Sequence, residues 1–394
     1  MNCCWLCAVS NHLPYTAAAK ANNFGVAEQG RAPRYRAGFY NEKMLLEGVF
    51  AATTTPFYSD ERIYFRKIEA NIARYSRSLL AGIVVLGSSG EAPLVDDAES
   101  REVLRVAAEA ADPEKVLIAG VGREGVKATL AMADAAAGFR YDAVLVRPPS
   151  YYAGQMSSAA ALHYFRSIAD RSPLPVVLYN IPKCVPYQIP VELVGELADH
   201  PNIIGIKDSS GKVDRIGAQV AASQNAPRRT VPVTQVFEAA TARMLEPRAE
   251  TDGSFVSVGD LAGGAAVATA PTAVPIKTRS REVGFQVLCG SGSTVLESME
   301  AGATGAILAF GAFAPQACQE IYLAWKDHDL ALAAEKQKRI AKANQRIVGD
   351  LGIAGVKYAC DFNGYFGGHT RAPLLGLTAE EKAEIEELLA EVRN

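Results

Sequence analysis

Short apolar runs recur along this chain roughly every thirty residues, each followed by a stretch of helical periodicity, and that spacing is the length of one strand-plus-helix unit. The runs cover residues 49–52, 83–86, 116–119, 143–146, 176–179, 203–206, 285–288 and 306–310. Between the first two, Ile68, Ile72, Tyr75 and Leu79 fall on one helical stripe. Further helices are predicted over 99–110, 126–137, 159–169, 190–198, 213–222 and 293–301, with Pro190 at a first turn, where a missing N–H costs nothing. Eight such units predict an α/β fold, a closed (β/α)8 TIM barrel. The count is interrupted once, between the sixth helix and the seventh strand. Residues 224–276 are rich in Ala, Thr, Pro and Gly with weak periodicity and read as an insertion, with a short hairpin around 255–258. Past the barrel, assigned to 44–315, helical patterns over 316–326, 329–351, 355–362 and 378–393 predict a C-terminal helical domain, 316–394. Residues 1–43 read as a poorly ordered N-terminal extension. They lack the basic n-region of a secretory signal, while an acid-poor presequence or an extension before a start near Met44 are equally economical.

Composition excludes several classes. With 49% hydrophobic and 21% charged residues the chain is neither largely disordered nor collagenous. The balance of 43 acidic against 40 basic residues, net −3, provides no field for nucleic acid or an anionic membrane. Seven scattered cysteines argue against a disulfide framework and for a reducing compartment, the cytoplasm. Cys3, Cys4 and Cys7, with His12, form the only tight cluster, and no second matched pair follows, so no metal is expected. The uncharged run 301–319 is broken by Gly302, Gly305, Gly311 and Pro315, which favours a buried strand over a membrane span.

In such a barrel the chemistry gathers just after the strands. Lys207 closes the apolar run Ile203-Ile204-Gly205-Ile206, an approach that desolvates an ammonium, lowers its pKa and predicts a neutral, nucleophilic amine. The plainer alternative is a strand-end lysine that snorkels to solvent or pairs with Asp208. Gly87-Ser88-Ser89-Gly90 offers backbone N–H groups and two hydroxyls suited to a carboxylate, without the ending of a phosphate loop. Tyr179 is either a buried strand aromatic or a phenol placed to shuttle a proton beside a cationic imine. Gly120, Gly122 and Gly125 form a GxGxxG that would suit a dinucleotide, but the acid that should end the next strand is replaced by Arg147-Pro148-Pro149.

These residues, in this order, resemble the dihydrodipicolinate synthase and N-acetylneuraminate lyase family of pyruvate-type class I aldolases. The carrying motifs are Gly87-Ser88-Ser89-Gly90-Glu91, Tyr179-Asn180-Ile181-Pro182 and Gly205-Ile206-Lys207-Asp208, within a likeness running from about Leu46 to Leu377. The resemblance implies an imine between Lys207 and a 2-oxo acid, Tyr179 as proton donor and acceptor, and no cofactor or metal. It also implies a relay through Ser88 to a tyrosine of a neighbouring subunit, Tyr152 or else Tyr151, and hence a homo-oligomer, a dimer or tetramer. Ser89 would hold the substrate carboxylate, with Ser209, Gly290 and Ile307 lining the same end. Synthases that condense pyruvate with aspartate semialdehyde carry an arginine where this chain has Cys184, with Lys183 able to compensate only along an altered loop. Residues 151–158, 207–211 and 364–368 look instead like the 4-hydroxy-2-oxoglutarate aldolase branch, while Arg147 departs from the usual threonine and the insertion is foreign to the pattern. The expected reaction is cleavage of 4-hydroxy-2-oxoglutarate to pyruvate and glyoxylate. The synthase condensation or cleavage of another 2-oxo-3-deoxy acid stands second. A nicotinamide-dependent oxidoreductase resting on the glycine motif, or a non-catalytic barrel that senses a keto acid, are the readings from other classes.

Overall fold

A computed structural model of the chain describes residues 44–234, 239–245 and 279–392. The extension 1–43 with its cysteine cluster, the expected hairpin at 255–258 and Arg393 lie outside the described residues. Strands β1 (Gly48–Ala52), β2 (Gly82–Val85), β3 (Val116–Gly120), β4 (Ala143–Val146), β5 (Val176–Asn180) and β6 (Ile203–Asp208) come first in the chain. Then follow a ribbon, β7 (Arg229–Val233) and β8 (Arg279–Val283), and the last two barrel strands, β9 (Gln286–Cys289) and β10 (Gly305–Leu308). Eight of these close a barrel in the order β1-β10-β9-β6-β5-β4-β3-β2, every neighbouring pair parallel. The strands are continuous apolar runs because both faces are buried. Phe50, Val84, Ile118, Leu145, Val177, Leu288 and Ile307 fill the interior, whereas Val49, Ile83, Leu117, Val144 and Leu178 meet the helices outside.

The outer helices α1 (Phe65–Ser76), α2 (Asp97–Ala110), α3 (Val126–Gly138), α4 (Ser158–Ala169), α5 (Val191–Ala198) and α6 (Val213–Ala222) follow the predicted stretches closely. A capping box starts α2: Asp96 accepts from the Glu99 N–H at 2.8 Å, and Glu99 accepts from the Asp96 N–H at 3.2 Å. One member of the first stripe departs from expectation. Ile68, Ile72 and Tyr75 are buried, but α1 stops at Ser76, so Leu79 lies beyond the helical register and is 71% exposed, while Leu80 takes the core position.

The described parts of the insertion lie at the amino end of the barrel, opposite the site described below. Its ribbon pairs antiparallel, Arg229 opposite Val283 to Val233 opposite Arg279, and Val231, Val233 and Val283 pack on Leu45. The Arg229 guanidinium donates to the carbonyl oxygens of Gly284 and Met44 and to the Gln286 side chain, at the feet of β1 and β9. Burial pushes that guanidinium down to about 10. A short helix, α7 (Ala242–Leu245), follows, and Arg243 pairs with Asp142 at 3.6 Å just before β4. The described parts of the insertion therefore plug the floor of the barrel and do not lid its mouth.

After the short α8 (Val295–Glu300), the C-terminal helices are α9 (Pro315–Lys326), α10 (Leu330–Ala343), α11 (Gly352–Phe362) and α12 (Ala379–Leu389). The single helix expected over 329–351 is divided: α10 ends at Ala343 and residues Asn344–Asp350 form a wider π-turn. Its first residue is held by tertiary contact, because Asn344 donates to the Ser293 hydroxyl at 2.7 Å and a Cβ at Gly292 would collide with its amide oxygen at 2.4 Å. Among the described residues no helix is long and apolar enough to cross a membrane.

Candidate active site

Strand register brings the lysine and the phenol together. Tyr179 on β5 pairs with Lys207 on β6, and a register shift between Val176 and Val177 sends Ile204 into the barrel interior two positions before Ile206 turns outward. Lys207 thus follows the outward-facing Ile206 and points inward, 4% exposed, with its Nζ 4.3 Å from the centre of the Tyr179 ring. It neither snorkels nor pairs with Asp208. That carboxylate points outward and accepts from Arg215 Nε at 2.8 Å, Gln219 Nε2 at 2.7 Å, Asn180 Nδ2 at 3.0 Å and the Ser210 N–H at 2.8 Å. Alternation along the strand separates the two neighbours, and the Asp208 network fixes β6 from behind.

Ser88 stands across from the phenol, its Oγ 3.4 Å from the Tyr179 hydroxyl. The loop carrying it is a single 3-10 turn, Ser88–Gly90, between two residues in the left-handed region, Leu86 at φ 56° and Glu91 at φ 54°. Gly90 and Glu91 spend their N–H groups on the carbonyls of Gly87 and Ser88, which leaves those of Ser88 and Ser89 at the open end of the turn. Gly120 is needed here, because a Cβ would meet the Leu86 carbonyl oxygen at 1.9 Å. Gly122 likewise leaves room for Arg147, so two glycines of the GxGxxG are accounted for by packing.

Ser209 and Gly290 touch through the Ser209 hydroxyl, which donates to the Gly290 carbonyl at 3.4 Å, and any Cβ at Gly290 would collide with that hydroxyl. Ile307 is fully buried among the inward residues, in one cluster with Tyr179. The two remaining tyrosines are elsewhere. Tyr151 and Tyr152 are 81% and 63% exposed, pack edge to face at 5.0 Å, and within this chain neither hydrogen-bonds Ser88 or Tyr179. Lys183, the possible substitute for a missing arginine, donates to the Gly349 carbonyl in the π-turn.

Glu124 holds the tyrosine loop. Its carboxylate accepts from the Ser150 N–H at 2.8 Å, the Tyr151 N–H at 2.9 Å, the Ser150 hydroxyl at 2.8 Å and Arg147 at 3.0 Å. Burial alone would raise its pKa, but the Tyr151 N–H, the two Ser150 donors and Arg147 outweigh it and pull the carboxyl down to about 2. Since the folded value lies below the ordinary 4.5, the loop's stabilisation is complete above about 4.5 and disappears as pH falls toward 2. Glu124→Gln should flatten that acid limb in a pH-resolved unfolding series; an unchanged limb would show that the loop is held otherwise.

Three contributions were not legible from the motifs. Lys357 on α11 forms a fully buried ion pair with Glu91, donates to the His369 carbonyl and lies over the Phe57 ring, Nζ 4.3 Å from its centre. Arg371 donates from its N–H to Glu91 at 2.9 Å and, through both guanidinium ends, to Glu99 at 2.6 and 2.8 Å. Gln337 on α10 serves the opposite loop, accepting from the Val295 and Leu296 N–H groups and donating to the Gly292 carbonyl. The C-terminal helices thereby clamp the loops after β2 and β9.

Fold and site together define a single-barrel enzyme whose polar groups gather at the carboxyl ends of the strands. The chain belongs to the dihydrodipicolinate synthetase family, an enzyme family of aldolases and synthases, whose profile matches residues 45–226 and 265–392. The unmatched residues between fall inside the insertion. The chain is 37% identical over 187 residues to a probable mitochondrial 4-hydroxy-2-oxoglutarate aldolase of Emericella nidulans, across 45% of this chain and 60% of that protein. It is 26% identical to the 4-hydroxy-tetrahydrodipicolinate synthase of Acidiphilium cryptum across 86% and 96% of the two chains. Among solved structures, the prophage protein YagE of E. coli K12, of the dihydrodipicolinic acid synthase family and crystallised with pyruvate, superposes with a TM-score of 0.69 at 24% identity, covering 89% of this chain and 99% of YagE.

Proposed function

We propose that the protein is a Schiff-base aldolase that cleaves 4-hydroxy-2-oxoglutarate to pyruvate and glyoxylate. The observation that carries the reading is the buried Lys207 amine against the Tyr179 ring, with Ser88 within reach of the phenol hydroxyl. In its neutral form the Lys207 amine attacks the C2 ketone, and loss of water leaves a protonated imine. Tyr179 takes the proton of the C4 hydroxyl as the C3–C4 bond breaks, and the bonding pair flows into the imine to form an enamine. Glyoxylate leaves, the enamine takes a proton at C3, and water returns to release pyruvate and the free amine. The imine is the electron sink, so this chemistry needs no metal or organic cofactor. Ser88 passes the phenol's proton to a tyrosine of a neighbouring subunit, Tyr152 or Tyr151, whose exposure suits delivery to a second chain. Ser89 holds the substrate carboxylate, and Ser209, Gly290 and Ile307 shape the wall. The relay requires a homo-oligomer, a dimer or tetramer, and the four described cysteines, all free, fit a reducing compartment such as the cytoplasm.

The synthase reaction is the second reading, favoured by the near-complete span of the Acidiphilium relative. The two separate on substrate. Pyruvate release from 4-hydroxy-2-oxoglutarate should exceed condensation of pyruvate with aspartate semialdehyde in kcat/KM, and a clear preference for the condensation would overturn the aldolase reading.

A further inference from the structure

The mouth of the barrel contains a cation that the reaction above does not use. Leu145 faces the barrel interior on β4, so Arg147, two residues on, faces the mouth. There it lines one cavity with Ser88, Tyr179, Gly122 and Leu145. Three features fix its position. A Cβ at Gly122 would approach the Arg147 Cγ and backbone nitrogen to 2.9 Å each, so only glycine lets the side chain pass. Its NH1 donates to the Pro148 carbonyl at 2.9 Å, and its NH2 donates to Glu124 at 3.0 Å. Glu124 is meanwhile shared among three other donors, from Ser150 and Tyr151, so its charge is not reserved for the guanidinium. The arginine side chain is 18% exposed, enough to be reached and sheltered enough to discriminate. Burial raises the Cys184 thiol, and the positive charges of Lys183, Lys207 and Arg147 oppose that rise.

We propose that Arg147 is the specificity-determining anchor for a second carboxylate, so that the site selects 2-oxo dicarboxylic acids over 2-oxo monocarboxylic acids of the same length. This rests on the Schiff-base reading, because it takes the substrate ketone to be at Lys207 while the far carboxylate meets the guanidinium edge beside Ser88 and Tyr179. An arginine fork suits this role better than an ammonium, since it offers two parallel N–H groups to a planar carboxylate. Glu124 orients the fork and at the same time holds the loop of Tyr151 and Tyr152.

The test needs binding and imine trapping but no turnover. Borohydride trapping of the full-length protein is titrated with 2-oxoglutarate and with 2-oxopentanoate, five-carbon 2-oxo acids that differ only in a terminal carboxylate or methyl. The wild type should half-saturate at a lower concentration of 2-oxoglutarate. In Arg147→Gln that concentration should rise about 10- to 100-fold, the range of a charge-assisted hydrogen bond, with 2-oxopentanoate moving less than about twofold. Arg147→Lys, which keeps the charge and loses the fork, should restore part of the preference. Persistence of the full preference in Arg147→Gln, or equal weakening of both acids, would overturn the assignment. If pyruvate itself is not trapped at Lys207 in the wild type, the Schiff-base reading fails first and this one with it. If pyruvate is trapped but the wild type does not discriminate between the two acids, only the Arg147 assignment fails.

Discussion

Lys207→Ala should lower turnover at least about 10⁴-fold and leave the fold intact. The size follows from what the amine does. Without it there is no covalent electron sink, and a positioned acid–base residue such as Tyr179 contributes only about 10²- to 10⁴-fold on its own. Lys207→Arg should not rescue, because a guanidinium stays protonated and cannot form the imine. The fold should tolerate the change, since Lys207 reaches over the Tyr179 ring into the barrel and shares no ion pair with Asp208, whose carboxylate is satisfied by Arg215, Gln219, Asn180 and Ser210. Steady-state kinetics with circular dichroism on the same preparation separates the two effects. A folded Lys207→Ala protein with more than about a hundredth of wild-type turnover would exclude covalent catalysis through this residue.

The second large effect concerns stability. Glu91 and Lys357 form an ion pair whose side chains are 0% and 1% exposed, bridging the serine turn to α11. Burial outweighs the partner carboxylate and holds the Lys357 ammonium below its usual value, so the pair is a costly arrangement that stands only while both members are present. Lys357→Met should cost about 3–5 kcal/mol by denaturant unfolding, because it strands a buried carboxylate. Glu91→Gln combined with Lys357→Met should cost markedly less than the sum of the single changes, since the double change removes both charges and strands neither. Strict additivity, or a Lys357→Met loss under about 1 kcal/mol, would contradict the role given to the pair. The same variant should weaken 2-oxo acid trapping, as Glu91 ends the turn that carries Ser88 and Ser89.

Most of the barrel was legible because a parallel strand buried on both faces is written as an uninterrupted apolar run, and each run was followed by its helix. Boundaries moved where tertiary contacts intervened. Leu79 fits the helical stripe on paper, yet the helix ends at Ser76 and Leu80 enters the core instead. The division of the helix over 329–351 depends on Asn344 meeting Ser293, a contact no local pattern encodes. Within the site, the strand-end positions of Lys207 and Tyr179 could be read from the apolar runs before them. Their facing required the register shift in β6, which periodicity does not reveal. Glu91, Lys357 and Arg371 were hidden for another reason: buried charges look like ordinary surface charges until the chain brings its distant ends together. The ribbon of β7 and β8 was not foreseen, because it owes its burial to Leu45 and to Arg229 contacts at the foot of the barrel.

Catalysis by this route turns on one covalent bond, and borohydride reduction in the presence of pyruvate tests it most directly. After reduction and proteolysis, mass mapping should find a single pyruvate-derived adduct, carried by the peptide containing Lys207 and absent from Lys207→Ala. An adduct on any other lysine, or none at saturating pyruvate in the folded protein, would contradict it.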